Sequence, residues 1–284
     1  MSNQFGRLWV VATPIGNLGD LSERAREALR DADLVAAEDT RRTGRLLSTF
    51  GIDTELISVH EHNEAQRVPV LIERLLAGET IALVSDAGTP LVSDPGYRLV
   101  AAAAGQGIDI SPIPGASALL AALSIAGLPS DRFCFEGFLP SKRPPRRKRL
   151  NELAAEDRTL IFYVSVHRFA DVLADVAEVF GGTRRAVLAR ELTKLHESIY
   201  RGALETLAEQ ARSGAIPGKG EFVLVVEGSD APDHTGIDTD AVLAALLEEL
   251  PPAQAARLAA KLTGTRKREL YELAKKSRAR SRQS

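Results

Sequence analysis

Hydrophobic and polar positions alternate along the chain in short apolar runs and longer stretches of helical spacing. Arg7-Leu8-Trp9-Val10-Val11-Ala12 is apolar and β-branched and ends at Thr13-Pro14-Ile15-Gly16-Asn17, a turn-rich stretch, so it predicts a strand. Leu21, Ala25, Ala28, Leu29 and Ala32 then recur at helical spacing behind Asp20 or Ser22 as a cap. Two further apolar runs, residues 34–37 and 81–84, end at Glu38-Asp39 and Ser85-Asp86. A helix from about Gly96 to Gly105 and a strand over 108–110 follow. Continuous apolar strands alternating with helices predict a largely parallel α/β sheet.

Pro112-Ile113-Pro114-Gly115-Ala116-Ser117 and a small-residue helix over 118–126 read as a hinge. The expected organisation is therefore an N-terminal α/β domain over 1–115 and a C-terminal α/β domain over 116–230. In the second, the pattern predicts strands at 159–164, 185–189 and 221–227 and a helix over 168–180. A polar linker, 228–238, interrupts it. Beyond lie only helices, over 239–250, 252–262 and 266–276, with Gly264 in a tight turn between the last two. Residues 239–284 thus resemble a basic helix-turn-helix extension.

Composition adds the partner class. The 284 residues are 44% hydrophobic and 26% charged, an ordinary globular balance. The one cysteine, Cys134, forms no intramolecular disulfide and fits a reducing cytoplasm; it and Trp9 read as core residues. No run approaches the roughly 20 apolar residues that span a bilayer, and MSNQFGRLWVV lacks the look of a signal peptide, so no membrane is expected. The net charge of −2 hides an asymmetry: Pro251 to Ser284 carries ten Lys/Arg against two Glu, a net of +8. A second run, Lys142-Arg143-Pro144-Pro145-Arg146-Arg147-Lys148-Arg149, holds no acid. Two cationic segments on an acidic body point to a polyanion such as nucleic acid. The alternative is a solvated linker and a solubilising tail.

Candidate chemistry sits in three strand-end loops, Thr13 to Gly19, Ser85 to Gly96 and Pro112 to Ala118, because open α/β sheets bind ligands beyond the carboxyl ends of their strands. Neither G-x-G-x-x-G nor a P-loop occurs. The nearest approach, Gly214 to Gly220, reads as a hairpin loop before a strand. His60-Glu61-His62-Asn63-Glu64 lacks a third ligand at fixed spacing, so no metal is expected. In Ser85-Asp86-Ala87-Gly88-Thr89-Pro90-Leu91-Val92-Ser93-Asp94-Pro95-Gly96 the second half reads as a capped turn, with Asp94 at the N-cap and Pro95 at N1. That leaves Ser85 to Thr89 without a structural explanation.

SDAGTPLVSDPG, preceded by ATPIGNLGDLS and AAEDTRRT and followed by PIPGASALLAALSIAGLP, resembles the tetrapyrrole-methylase superfamily of S-adenosylmethionine-dependent enzymes. The likeness runs from about Leu8 to Glu227. It is strongest to the branch that methylates the ribose 2′-hydroxyl of a decoding-centre cytidine in 16S rRNA, and the helical tail resembles that branch's extension. The resemblance implies two α/β domains with a cofactor cleft between them, S-adenosylmethionine in that cleft, a homodimer, and 16S rRNA within the small ribosomal subunit as partner. It places cofactor contacts at Pro14, Ala87, Gly88, Thr89, Val92, Ser117, Ala118, Val164 and Gly202.

Methyl transfer to a ribose hydroxyl needs in-line attack and an acceptor for the proton. Asp86 is the first candidate, then Glu38 and Asp39, with Lys194 beside them. Asp86 could instead only bond loop amides, and Glu38 or Asp39 could cap a helix over 40–47. Arg41 and Arg42 are expected on phosphates and Lys142 on RNA backbone. Arg190, Glu191 and Lys194 are expected near the target ribose, unless they pair with one another. Two alternatives remain: a methyltransferase acting on a tetrapyrrole or similar small molecule, and a non-enzymatic rRNA-binding assembly factor.

Overall fold

The structure is a computed structural model that describes residues 5–229, 239–263, 265 and 270–275. Its first half builds β1 (Arg7–Val11), α1 (Glu23–Asp31), β2 (Leu34–Ala37), α2 (Thr40–Thr49), β3 (Leu56–Ser58), α3 (Glu64–Leu76), β4 (Ile81–Val84), α4 (Tyr97–Gly105) and β5 (Asp109–Ile113). The strands form one sheet in the order β3-β2-β4-β1-β5, parallel throughout. Successive side chains of a strand point to opposite faces. Val11, Val35, Ala37 and Val84 therefore pack against Ala25, Leu29 and Leu47 of α1 and α2. Leu8, Leu34, Ile81 and Leu83 pack on the other face against Leu71, Leu75 and Leu99 of α3 and α4. Both faces are covered, which is why these strands read as unbroken apolar runs.

The second half builds α5 (Ala118–Ala126), β6 (Phe133–Phe138), α6 (Arg143–Leu153), β7 (Thr159–Val164), α7 (Phe169–Phe180), β8 (Arg185–Arg190), β9 (Ser198–Ala203), α8 (Leu204–Arg212) and β10 (Phe222–Val226). Its sheet has the order β6-β7-β10-β8-β9 and is mixed: only β6 and β7 run parallel, and the other pairs are antiparallel. Phe162, Leu188 and Leu224 meet α6, α7 and α8 on one face. Ile161, Val187 and Val223 meet Leu119, Ala122 and Leu123 of α5 on the other, and Ile15 from the first half packs into that same cluster.

Several expectations change here. Gly214 to Gly220 joins helix α8 to strand β10 and is not a hairpin loop. The run Lys142 to Arg149 is no linker: α6 starts in it, with proline in its first turn where no backbone N–H is needed. The helix after Ser85–Gly96 begins at Tyr97 behind Gly96 (φ +122°), so Asp94 is not its N-cap.

In the extension, α9 (Thr239–Glu249), α10 (Pro252–Thr263) and helical residues 270–275 share a small core of their own, including Leu243, Ala255, Ala259 and Leu270. The turn glycine Gly264, Arg266 to Glu269 and most of the linker lie outside the described residues. Among the described residues no helix is long and apolar enough to cross a membrane.

Candidate active site

The site begins at the carboxyl ends of β1 and β4. The loops that follow them are joined as a two-residue bridge: Thr13 N donates to Gly88 O at 2.9 Å, and Gly88 N donates to Thr13 O at 3.0 Å. The buried Thr13 hydroxyl donates to Ser85 O at 3.2 Å, and the Thr89 hydroxyl to Ala116 O at 3.1 Å. Gly88 sits at φ +84°, where a Cβ would come to 3.3 Å from Ile15 Cγ2, so glycine alone suits both the backbone and the space. These tied loops separate two hollows. One is a cavity of about 420 Å³ between the two sheets; the other is a cleft of about 270 Å³ against α2.

Ala87, Gly88, Thr89, Val92, Ser117, Ala118 and Val164 all line the cavity. Pro14 lines the cleft next door instead. Gly202 lies on β9 opposite Ala186, in neither lining. The cavity also takes residues that were not expected at the cofactor: Ile15, Asp94, Phe138, Tyr163, Gly220 and Glu221. Gly220 (φ +98°) belongs to the stretch nearest to a P-loop in sequence, and it forms part of the cavity wall. At the opposite wall α5 starts behind Ser117, whose hydroxyl caps no amide, leaving the helix's first-turn N–H groups without a side-chain acceptor.

Carboxylates gather where the strands end. Asp94 is half-buried in the cavity wall, and burial pushes its carboxyl up to about 6; the Ser85 hydroxyl opposes this, while Glu38 and Asp86 add repulsion. Burial also raises Glu38, against the Asp86 backbone N–H that donates to it at 3.3 Å. Asp39 goes the other way. Arg41 closes on it with Nε at 3.0 Å and Nη2 at 2.7 Å, and holds it well below the usual carboxylate range. Asp39 also accepts the Arg41 N–H at 2.9 Å, so it caps α2 as the alternative reading had it. Asp86 lines the cleft and not the cavity; it accepts from Asp39 N and from Arg42 Nη1, each at 3.0 Å. Among the described residues no group of three or more His, Cys, Asp or Glu is arranged to hold a metal ion.

Residues 7–208 match the model of the Tetrapyrrole (Corrin/Porphyrin) Methylases, and residues 233–277 match that of the RsmI C-terminal HTH domain. A protein of Xylella fastidiosa named ribosomal RNA small subunit methyltransferase I is 54% identical over 94% of this chain and 98% of its own. Its namesake in Pseudomonas aeruginosa is also 54% identical, over 95% of this chain and 96% of its own. The chain belongs to the ribosomal RNA small subunit methyltransferase I family of tetrapyrrole methylases. At the level of fold it is similar to the uroporphyrin-III C-methyl transferase of Thermus thermophilus solved with S-adenosyl homocysteine: TM-score 0.56, 18% identity, covering 78% of this chain and 97% of that one.

Within this tetrapyrrole methylase, the loop after β8 reaches across to the first half. Lys194 lays its stem over Gly16, where a Cβ would stand 2.3 Å from Lys194 Cγ. Its ammonium donates to Glu191 at 2.8 Å and to Glu221 at 3.1 Å. Burial works to lower the Lys194 pKa, but the two carboxylates outweigh it and the net shift is upward. Lys194 is therefore a fixed cation and not a proton acceptor. Glu191 is turned inward by the same pairing and by the Glu221 N–H at 2.9 Å, and its backbone sits at φ +52°. Arg190 is buried, its guanidinium donating to Lys219 O at 2.7 Å and to His196 O at 2.9 Å. Both residues, expected at the ribose, are engaged in building this loop.

The basic run is likewise occupied. Arg143 and Arg146 each donate through Nε to the buried Asp175 at 2.8 Å, and Arg147 pairs with Glu178. Arg149 pairs with Glu136 and Glu152. Lys142 and Lys148 are exposed and have no ion pair among the described residues, so Lys142 is free for an external partner. Cys134 and Trp9 are half-buried against the two main cores.

Proposed function

We propose that this chain is an S-adenosylmethionine-dependent methyltransferase acting on the ribose 2′-hydroxyl of a cytidine in the decoding centre of 16S rRNA. The observation that carries the reading is the cavity between the sheets, held open by the Thr13–Gly88 bridge, in a chain of this family. Its residues fit S-adenosylmethionine: apolar Ile15, Val92, Ala118 and Val164 suit the nucleoside, and the uncapped N-terminus of α5 offers N–H groups to a charged end. When bound, that cofactor supplies an electrophilic methyl on a sulfonium leaving group. The chain's own task is to bring the ribose oxygen into line, keep water out and take the proton.

Asp94 is the proton acceptor in this reading, ahead of Asp86. It stands in the cavity wall itself, and a carboxyl at about 6 is ionised at neutral pH yet basic enough to accept a proton at Oδ. Glu38 stands close enough to repel it and keep it basic. Lys194, locked between Glu191 and Glu221, fastens the second-half loop over Gly16 and so fixes the two halves about the cavity. The match over 233–277 and the net +8 of the last 34 residues support rRNA as the partner, with Lys142 and the extension on phosphates. The proposal includes the assembled small subunit as substrate, action in the cytoplasm and a homodimeric state, with a domain division near residues 115 and 230.

The test incubates purified protein with radiolabelled S-adenosylmethionine and small ribosomal subunits from cells lacking the modification, then maps the label by nuclease digestion and mass spectrometry. Label on one cytidine 2′-oxygen is expected. Label on a tetrapyrrole, with none on RNA, would contradict the proposal.

A further inference from the structure

The cleft beyond the Thr13–Gly88 bridge is lined by polar and apolar residues of its own. Pro14 and Leu46 line it together with Arg42, Arg45 and Asp86. Asp86 is held in place from two directions, by the Asp39 N–H and by Arg42 Nη1, each at 3.0 Å. An ionised carboxylate has about four lone-pair positions, so two acceptor positions remain. Arg42 presents a fork of about five N–H donors, of which Asp86 takes one, and its side chain is 68% exposed. The result is a fixed acceptor next to an exposed fork of donors in the lining of a hollow of about 270 Å³.

That order of groups selects a ligand. We propose that the cleft is the pocket for the target nucleoside, and that Asp86 and Arg42 together read the Watson–Crick edge of cytosine. Asp86 accepts from the exocyclic amine, and Arg42 donates to ring N3 and the adjacent carbonyl O2. The inference rests on the rRNA methyltransferase reading above and deepens it. Uracil carries a carbonyl where cytosine carries its amine, so its oxygen would face the Asp86 carboxylate with no proton between them. Adenine shares the amine and the ring acceptor, but it has no second acceptor for the Arg42 fork. Pro14 and Leu46 give the base apolar contact once it has left the RNA stack.

The arrangement also accounts for the placement of Pro14 and Asp86, which line the cleft while their neighbours Ile15 and Ala87 line the cavity. Each loop presents one residue to the base and the next to the cofactor. A base seated in the cleft thereby brings its ribose to the partition between the two hollows, where the oxygen must meet the methyl.

The experiment compares reconstituted small subunits carrying either C or U at the methylated position, with wild type and with Asp86→Asn. Wild type is expected to prefer C by roughly 10- to 100-fold in kcat/KM. The Asn amide can donate to the uracil carbonyl, so in Asp86→Asn the C/U ratio should fall to about one or below, while affinity for S-adenosyl homocysteine stays within about twofold. Equal loss on C and U with that affinity kept would overturn the inference and return Asp86 to the chemistry. A wild type indifferent to C or U would overturn it as well, leaving the methyltransferase reading intact. A wild type that labels neither RNA would instead sink the methyltransferase reading and this inference with it.

Discussion

Two clusters of charge in this chain have opposite chemistry. Between α6 and α7, Asp175 is 1% exposed and is met by Arg143, Arg146 and Arg147, with Glu178 beside them. Burial alone would raise its carboxyl, but the Arg143 and Arg146 guanidinium groups outweigh that and hold it below the ordinary range. At the ends of β2 and β4 and in the loop beyond, Asp94 is repelled by Glu38 and Asp86 with no cation of its own; Arg42 pairs with Asp86 and favours the ionised Glu38, while Arg41 is taken by Asp39. There Glu38 and Asp94 are both pushed up. A cluster supplied with cations becomes a rivet between helices. A cluster left short of them beside a cavity keeps a carboxylate ready to take a proton.

Neutralising one carboxylate in each cluster should have opposite consequences. Asp94→Asn should lower kcat by roughly 10²- to 10⁴-fold in single-turnover methylation of small subunits, with a much smaller change in affinity for S-adenosyl homocysteine. A kcat within threefold of wild type would remove Asp94 from the chemistry. Asp175→Ala strands Arg146 in the interior and should cost about 3–5 kcal/mol in urea unfolding, with kcat per folded molecule unchanged. A loss below 1 kcal/mol would show that the rivet does not hold the helices.

Two smaller effects are expected at the cavity. Gly88→Ala forces a Cβ to 3.3 Å from Ile15 at φ +84°, and calorimetry should find affinity for S-adenosyl homocysteine reduced about tenfold. Unchanged affinity would mean that the loop tolerates displacement. Asp94→Asn should also stabilise the fold, by about 1–2 kcal/mol at pH 8. The sign follows from a folded value of about 6 above the ordinary 3.8: the ionised form is penalised in the fold, fully so above pH 6 and not at all below pH 3.8. The gain should therefore vanish in acid, and a gain that persists there would have another origin.

The central strands of the first sheet, β2 and β4, were legible because both their faces are covered and every position is apolar, and β1 because only its first residue is polar; the edge strand β3, three half-buried residues, left no such run and was not read. The second half was harder. Strand β6, Phe-Cys-Phe-Glu-Gly-Phe, lies at a sheet edge and is only partly buried, so it carries no continuous apolar run. Strand β9 is the other edge and equally mixed. Helix α6 was hidden by Pro144-Pro145, which reads as a breaker unless it falls in the first turn, where it does fall. For the site, the loops were identified but not which hollow each residue faces. Whether Asp86 or Asp94 lines the cavity depends on how the loop after β4 is folded by its bridge to Thr13, a contact 75 residues apart in the chain. The charge of Lys142 to Arg149 was visible, but its partners Asp175 and Glu178 come from another helix, so the run read as an open basic surface.

In the proposed reaction an under-neutralised carboxylate, Asp94, takes the ribose proton. The most direct test is the pH dependence of single-turnover methyl transfer from pH 5 to 9 for wild type and Asp94→Asn. The predicted wild-type rate rises with pH and levels off above about 6, whereas Asp94→Asn is slow and flat through that range. An acid limb of the same position in both proteins would assign the proton to another group and contradict the account.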